Sequence, residues 1–357
     1  MAYHRYALIM AGGRGTRFWP RSRKRSAKQV LRFFGERSLI QQAVDRLQGV
    51  IPPENIWVIT NEYLQGEIQK QLPDVPKQQI IAEPAQRNTA PCIGLAAQIL
   101  SGRDPDAVMG VFPADHLILK ETHFRTFVKA AYRGAERGDV VVLGVQPRWA
   151  ETGYGYIEFG RKVEIGGALP QMVKSFREKP DEKTARKFVA SGNFFWNAGM
   201  FFWRADTVLE LLKEHQPRTA SLLSGLPDFD SKQFGARLAA AYPQCENISV
   251  DYAIIEKADR VSGIALDDIG WNDVGSWEAV YGIAKKDANR NASRGDLITE
   301  DATGNYVDAQ KTVALVGVKN LIVVDTPDAL LVASRDRAQD VSALVKALDA
   351  QGREELL

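Results

Sequence analysis

Cysteine is almost missing from this chain: its 357 residues hold two, Cys92 and Cys245, far apart and in no metal or redox spacing. That leaves no disulfide framework and no thiolate zinc site, and the two are expected as buried free thiols. An excess of charge of one sign is missing too. The 46 basic and 44 acidic side chains nearly cancel to +2, which argues against nucleic acid or an anionic membrane as the main partner. No apolar run approaches the length of a membrane span. The start carries no long apolar leader segment, because Tyr6–Met10 runs straight into glycines. The expected compartment is the cytoplasm. Low-complexity tracts are absent, and of the four histidines His4, His123 and His215 sit in no motif and are expected at the surface.

What is present is a balance of 45% hydrophobic and 25% charged residues in a chain long enough to bury a sizeable core. Tyr6–Met10, Ile56–Ile59, Gln79–Ala82, Ala107–Phe112 and Val140–Val145 read as buried strands. Leu39, Ala43 and Leu47 with Ile40 and Val44 mark a one-faced helix, and Thr89–Leu100 and Phe124–Ala135 behave alike. Alternation of this kind predicts an α/β fold, a Rossmann-like, mostly parallel sheet flanked by helices. After about Thr152 the pattern loosens into a second lobe, with strands at Tyr154–Phe159, Gln171–Phe176 and Ala198–Trp203. The polar stretch Asn289–Gly295 reads as a linker, followed by short strands and a closing helix at Ala338–Leu348. The expected division is 1–288 (halves of about 1–150 and 151–288) and a small β-rich piece over 289–357.

The strongest local feature is Met10-Ala11-Gly12-Gly13-Arg14-Gly15-Thr16-Arg17, directly after the first strand. Glycines let a backbone turn tightly and bring its N–H groups against an anion. Arg14 and Arg17 add charge, and Arg21, Arg23, Lys24, Arg25 and Lys28 thicken the cluster, so a triphosphate is the natural guest. No lysine closes the loop as in a P-loop, and Phe18 stands where a dinucleotide fingerprint needs its third glycine. Taken alone, the loop could be an ordinary strand-to-helix turn. Together with Phe18-Trp19-Pro20-Arg21-Ser22-Arg23 and Lys28-Gln29 it resembles the nucleoside-diphosphate-sugar pyrophosphorylases, in particular their mannose-1-phosphate guanylyltransferase branch. Ala27 stands where that family usually has proline, which removes a backbone restraint and leaves the charge.

The resemblance covers nearly the whole chain and implies a direct transfer of GMP from GTP to mannose 1-phosphate, giving GDP-mannose and pyrophosphate. It implies Arg14, Arg17 and Lys28 as the catalytic cations, and Ala11, Gly12, Gly13, Gly15 and Thr16 as the phosphate loop. Asp115, in Phe112-Pro113-Ala114-Asp115-His116, and Asp273, in Gly270-Trp271-Asn272-Asp273-Val274-Gly275, would hold magnesium, Mg²⁺. Asp115 by itself would sooner be read as an N-cap or turn residue, and the pair inside two matching motifs reverses that. His116 is read as orienting Asp115 or touching the ribose, since a phosphate monoester oxygen needs no general base. Glu83, Asn88 and Thr89 would surround the guanine, whose N1–H and N2–H₂ suit a carboxylate; Asn88 or Thr89 also fits a helix N-cap. For the sugar phosphate the family pattern falls on Gly153, Tyr154, Glu178, Lys179, Asn197 and Gly199, with Asp251 as ligand contact or cap. A solvated Glu178–Lys179 pair is the plain alternative. The tail resembles the family's short left-handed β-helical extension, which pairs subunits and implies a homodimer, and the chain is expected to lack the fused isomerase domain of longer members.

Two other readings stay open at this level. The same fold and chemistry could serve another sugar 1-phosphate or another nucleotide. A non-catalytic subunit binding GDP-mannose would be expected to lack the loop arginines, Lys28 or the aspartates, and all are present. A nucleic-acid binder is disfavoured because the basic Arg21–Arg32 stretch is local.

Overall fold

The computed structural model describes residues 4–160 and 163–357. Nine strands form the main sheet: β1 (Arg5–Met10), β2 (Ile56–Asn61), β3 (Ile80–Glu83), β4 (Val108–Pro113), β5 (Val140–Val145), β6 (Tyr156–Phe159), β7 (Gln171–Arg177), β8 (Phe194–Arg204) and β9 (Val261–Leu266). Their order is β3-β2-β1-β4-β8-β5-β9-β7-β6. β1 pairs in parallel with β2 and β4, and β2 with β3. Apolar side chains on both faces of these strands bury against helices. α1 (Leu39–Asp45), α2 (Glu62–Gln71) and α4 (Glu121–Glu136) cover one face, and α3 (Thr89–Arg103) with the helix Ala205–His215 covers the other. A Ser38–Gln41 capping box starts α1.

The sheet is mixed rather than mostly parallel. β8 runs antiparallel to β4, β5 and β6, and β7 antiparallel to β9. A buried apolar run shows that a strand exists but not its direction, and β8 is reached through the 151–191 excursion rather than a simple crossover helix. The consequence for function is that β8 carries Asn197 and Gly199 into the middle of the sheet, beside the end of β4.

The C-terminal part is a coil of short strands: β10 (Ala292–Arg294), β11 (Leu297–Glu300), β12 (Tyr306–Asp308), β13 (Val313–Val316), β14 (Leu321–Asp325) and β15 (Leu330–Ser334). β10, β12 and β14 stack in parallel, as do β11 and β13, and β15 closes the stack antiparallel. The expected linker at Asn289–Gly295 is therefore the first rung of this coil. Its polarity misled because Asn291 and Asn305 are buried, with Asn291 donating to the Ala302 carbonyl and Asn305 to Asn291. Side-chain amides here replace backbone partners that the turns between rungs cannot supply. A 3-10 turn (Arg335–Asp340) leads into the closing helix Val341–Ala350. No helix among the described residues is long and apolar enough to cross a membrane.

One apolar cluster joins the two parts. Phe18 of the first turn and Phe33, ahead of α1, pack with Trp277 and with Tyr306, Ile322, Leu331, Ala338 and Val341. Phe18 and Trp277 meet edge to face, with ring centroids 5.3 Å apart.

Candidate active site

A parallel sheet exposes the loops after its strands at one edge, and ligands gather there. Here the loops after β1, β3 and β4 enclose a cavity of 590 Å³. Ala11, Gly12, Gly13, Arg14, Gly15, Lys28, Glu83, Asn88, Thr89 and Asp115 all line it. Thr16 and Arg17 do not. A larger cavity of 720 Å³ opens near the other ends of β1 and β2, between Arg5, Asp45, Ile56 and Lys129, and contains none of the residues expected at the site.

The loop's shape follows from a few contacts. The Ala11 amide is engaged by the Ile59 carbonyl, so its N–H is turned away from any anion. Among the described residues the amides of Gly12, Gly13, Arg14 and Gly15 donate to no protein acceptor, which suits them to phosphate oxygens. Buried Gln29 ties the loop from beneath, donating to the carbonyls of Ala11 (2.6 Å) and Gly13 (3.0 Å). Gly15 has φ +62°, and a Cβ there would stand 2.6 Å from the Lys28 Cβ and 2.9 Å from its backbone nitrogen. Gly15→Ala is therefore expected to cost roughly 1–2 kcal/mol for the left-handed backbone alone, and to displace Lys28 besides. A urea midpoint close to wild type, with turnover intact, would contradict this.

Lys28 is the hub. Its side chain is 7% exposed, and Nζ donates to Asp115 Oδ2 (2.8 Å) and to the backbone carbonyl of Asp273 (2.6 Å). The turns carrying the two aspartates are themselves joined by a two-way bridge between Leu117 and Asn272. Three distant segments thus converge on one ammonium. Burial alone would raise the Asp115 pKa, but the Lys28 charge and His116 outweigh it and hold the carboxyl below its ordinary value. Asp273 Oδ1 accepts from the Tyr154 hydroxyl at 2.5 Å, and its Oδ2 takes no hydrogen bond among the described residues. The same contact, together with burial as the larger cause, drives the Tyr154 phenol far up.

His116 is not placed as a base. Burial brings its pKa down to about 4, with Asp115 opposing, so the ring is neutral at pH 7. The Trp271 indole donates to Nδ1 (3.3 Å), while Nε2 lies 3.9 Å from Asp115 Oδ1. This is an orienting position. Of the other histidines, His4 and His123 have side chains 48% and 41% exposed, whereas His215 is only 16% exposed. Both cysteines are buried free thiols.

Glu83 closes the floor at the end of β3. Its Oε1 sits where a Cβ on Gly12 would come within 2.7 Å, and Oε2 accepts from the Tyr242 hydroxyl at 2.7 Å. Burial lifts its pKa to about 7 against that hydrogen bond. Asn88 caps α3, its side chain accepting from the Thr89 amide, and Thr89 Oγ1 accepts from the Val250 amide.

On the far side of Asp115 lie the residues expected for a sugar phosphate. Tyr154 packs edge-on against Trp196 and Trp271. Glu178 is 7% exposed and pairs with Lys179 Nζ at 2.9 Å, while the Lys179 side chain is 55% exposed, so only the lysine of the pair is solvated as in the plain reading. A Cβ on Gly155 would collide with Glu178 Oε2, so that glycine makes room for the carboxylate. Asn197 donates to Asp251 Oδ1 (2.9 Å) and accepts from the Gly199 amide (3.0 Å). Burial, then Glu178, push the Asp251 carboxyl up to about 7. Gly199, at φ +67°, lies against Pro113 and His116. Gly153 is exposed, and its amide donates to Glu151 Oε1 at 2.8 Å.

With this geometry in view, comparison with known proteins is direct. A family model described as nucleotidyl transferase matches residues 6–290. The chain belongs to the nucleotidyl transferase family. A second model, the MannoseP isomerase/GMP-like beta-helix domain, matches residues 295–348. This nucleotidyl transferase is 38% identical to the alginate biosynthesis protein AlgA of Pseudomonas aeruginosa over 98% of this chain and 73% of the relative. It is also 38% identical to a mannose-1-phosphate guanylyltransferase of Escherichia coli, over 98% and 74%. Among solved structures, a Thermus thermophilus protein described as mannose-1-phosphate geranyltransferase superposes with a TM-score of 0.86 at 30% identity, covering 97% of this chain and all, 100%, of that one. A Helicobacter pylori mannose-6-phosphate isomerase shares the fold, with a TM-score of 0.61 at 24% identity over 75% of this chain and 99% of that one.

Sequence reasoning misassigned part of the basic cluster. In this nucleotidyl transferase Arg21 faces Asp308 (3.5 Å), Arg23 pairs with Asp328 (3.0 Å) and Lys24 with Glu354. These charges hold the C-terminal part rather than a triphosphate; partners some 300 residues away leave no local signal. Gln29, Gln86, Asn247 and Tyr242 were missed as contributors to the cavity or its floor. Gln29 could have been found, since a buried amide directly after the lysine must have backbone partners.

Proposed function

We propose that this enzyme transfers GMP from GTP to α-D-mannose 1-phosphate, releasing pyrophosphate and forming GDP-mannose. The observation that carries the reading is the Lys28 ammonium, fixed between Asp115 and Asp273 at the mouth of a glycine loop with unengaged amides. The names borne by the AlgA and guanylyltransferase relatives support the choice of substrates.

In this reading guanine lies over Glu83, and the triphosphate runs along Gly12–Gly15 toward Lys28. A phosphate oxygen of the sugar phosphate attacks the α-phosphorus. The new P–O bond forms as the bond to the bridging oxygen breaks, and its electron pair leaves with pyrophosphate. No proton needs to move and no covalent enzyme intermediate forms. Arg14, Arg17 and Lys28 neutralise charge on the triphosphate and leaving group, and the work of the protein is positioning and electrostatics. Glu178, Lys179 and Asn197 would hold the sugar phosphate across from them, with the Tyr154 ring as a wall.

Asp115 and Asp273 fit a magnesium ion: both donors are hard oxygens, Asp115 is kept ionised, and two carboxylates suffice for a cation that retains its water. When bound, Mg²⁺ would supply neutralisation of charge on the phosphates. The chemistry is assigned to residues 1–288 and support of the loop to 289–357. Exposed Ile298, Val316, Leu330 and Val332 on the coil suit a homodimer through that segment, and phosphorylated substrates suit the cytoplasm.

The test is direct. Purified protein with GTP, Mg²⁺ and mannose 1-phosphate is expected to yield GDP-mannose and pyrophosphate in equal amounts. A panel of other sugar phosphates and nucleoside triphosphates is expected to react more slowly; preference for another pair would reassign the substrate.

A further inference from the structure

Arg17 does not enter the cavity with Arg14 and Lys28. Its guanidinium stands beside the Asp273 turn, with Nη1 3.5 Å from where a Cβ on Gly275 would stand and Asp273 Oδ2 2.6 Å from the same point. What holds it there is not the catalytic part of the chain. Nη1 donates to the Gln339 side-chain oxygen at 3.0 Å, 322 residues away, in the 3-10 turn before the closing helix. The contact is one of several that fasten this loop to the C-terminal part. The Trp19 indole donates to the Leu356 carbonyl at 3.0 Å, Arg23 forks onto both oxygens of Asp328 at 3.0 and 3.2 Å, and Lys24 pairs with Glu354. Trp277, buried under Phe18, donates to the Trp19 carbonyl at 3.2 Å.

These contacts differ in chemistry. Arg23 and Lys24 meet carboxylates, which cancel their charge, and so serve as anchors. Arg17 meets a neutral amide oxygen, which orients a guanidinium and leaves its charge available to a phosphate. Lys28 is held by Asp115, a carboxylate that magnesium would share in the reading above, whereas Arg17 takes its direction from a group that carries no charge. Arg14 stands in a related position, sharing a small cavity of 270 Å³ with Asp349 of the closing helix, but no hydrogen bond joins the two.

The geometry points to Gln339 as a positioning residue for guanylyl transfer: the C-terminal segment completes the active site by directing Arg17 through a neutral partner rather than a direct ion pair. This rests on the reading of the site given above.

Five proteins test it: wild type, Gln339→Ala, Gln339→Glu, Arg17→Ala and Arg17→Ala/Gln339→Glu. For each, GTP affinity is measured by calorimetry without sugar phosphate, and kcat and KM for GTP with it. Gln339→Glu turns the contact into an ion pair competing with phosphate, and is expected to weaken GTP binding roughly tenfold. Gln339→Ala removes direction but no charge, and should lower kcat by about threefold with the affinity for GTP nearly kept. In the Arg17→Ala background Gln339→Glu should have no further effect, the signature of coupling between the two side chains. Equal losses with and without Arg17, or wild-type behaviour of both Gln339 variants, would overturn the inference. Because the calorimetric cycle needs no sugar phosphate, failure of the functional reading appears separately, as wild-type protein that binds GTP and makes no GDP-mannose.

Discussion

Lys28→Ala is expected to fold and to lose about 10²–10³ in kcat, the usual consequence of removing a well-placed charged donor at a transferring phosphoryl group. The argument lies in how completely the ammonium is constrained. Gly15 packs against its Cβ closely enough that a side chain there would collide with it, Asp115 and the Asp273 carbonyl hold Nζ, and the buried Gln29 beside it ties down the loop. A side chain so held needs no reorganisation when charge develops on a leaving group. Folding should survive because Asp115 is 39% exposed, so water can solvate the carboxylate once its partner is gone. Freed of the Lys28 charge, the Asp115 pKa should move up, since the largest group holding it down is gone. Lys28→Arg is not expected to rescue, because a planar fork cannot place one nitrogen between Asp115 Oδ2 and the Asp273 carbonyl as the Lys28 ammonium does. The check is turnover of GTP and mannose 1-phosphate alongside a thermal melt. Near-wild-type turnover from a folded Lys28→Ala protein would remove the central element of the proposed mechanism.

Legibility differed between parts of the chain for physical reasons. The parallel strands after which the site is built were readable because burial on both faces leaves continuous apolar runs, and β1, β2, β4 and β5 lie within a residue or two of where those runs placed them. Strand direction was not readable. β8 looks like any other buried run, yet its antiparallel course is what sets Asn197 and Gly199 beside His116 and Pro113. Local chemistry was readable where one residue type has few other uses: the glycine turn after β1, in which Gly15 takes the positive φ, and the cap at Asn88 or Thr89, of which the fold uses Asn88. Pairings across the chain were not. The basic residues after the loop look alike in sequence, but Lys28 faces the cavity whereas Arg21, Arg23 and Lys24 face acidic residues of the coil and tail. The Asn291–Asn305 contact likewise turns a polar stretch into a buried rung. In each case composition gave the charge or polarity, and only the fold could say what stood opposite.

Affinity for GTP should fall as the pH drops through about 7, and the cause is Glu83. Burial at the cavity floor raises its carboxyl to about 7, while the Tyr242 hydroxyl pulls the other way. Guanine offers N1–H and N2–H₂, both donors, so the base requires the ionised form. A ligand that binds only the deprotonated acid loses affinity tenfold for each unit below the pKa and none above it. From pH 8 to pH 6 the dissociation constant is thus expected to rise by about tenfold, since roughly one unit of that interval lies below the pKa. GTP's own phosphate ionisation also varies with pH, but equally for wild type and Glu83→Gln, so their difference isolates the carboxyl. Glu83→Gln should bind GTP more weakly at pH 8, by roughly 10- to 100-fold for the loss of a charged hydrogen-bond acceptor, and should show none of the additional pH dependence. Tyr242→Phe sharpens the test because it acts on the pKa rather than on the base. Without that hydroxyl, burial is unopposed, the carboxyl titrates higher, and the inflection should move to higher pH. Parallel pH profiles for wild type and Glu83→Gln would mean that this carboxylate does not read the base, whatever else binds the nucleotide.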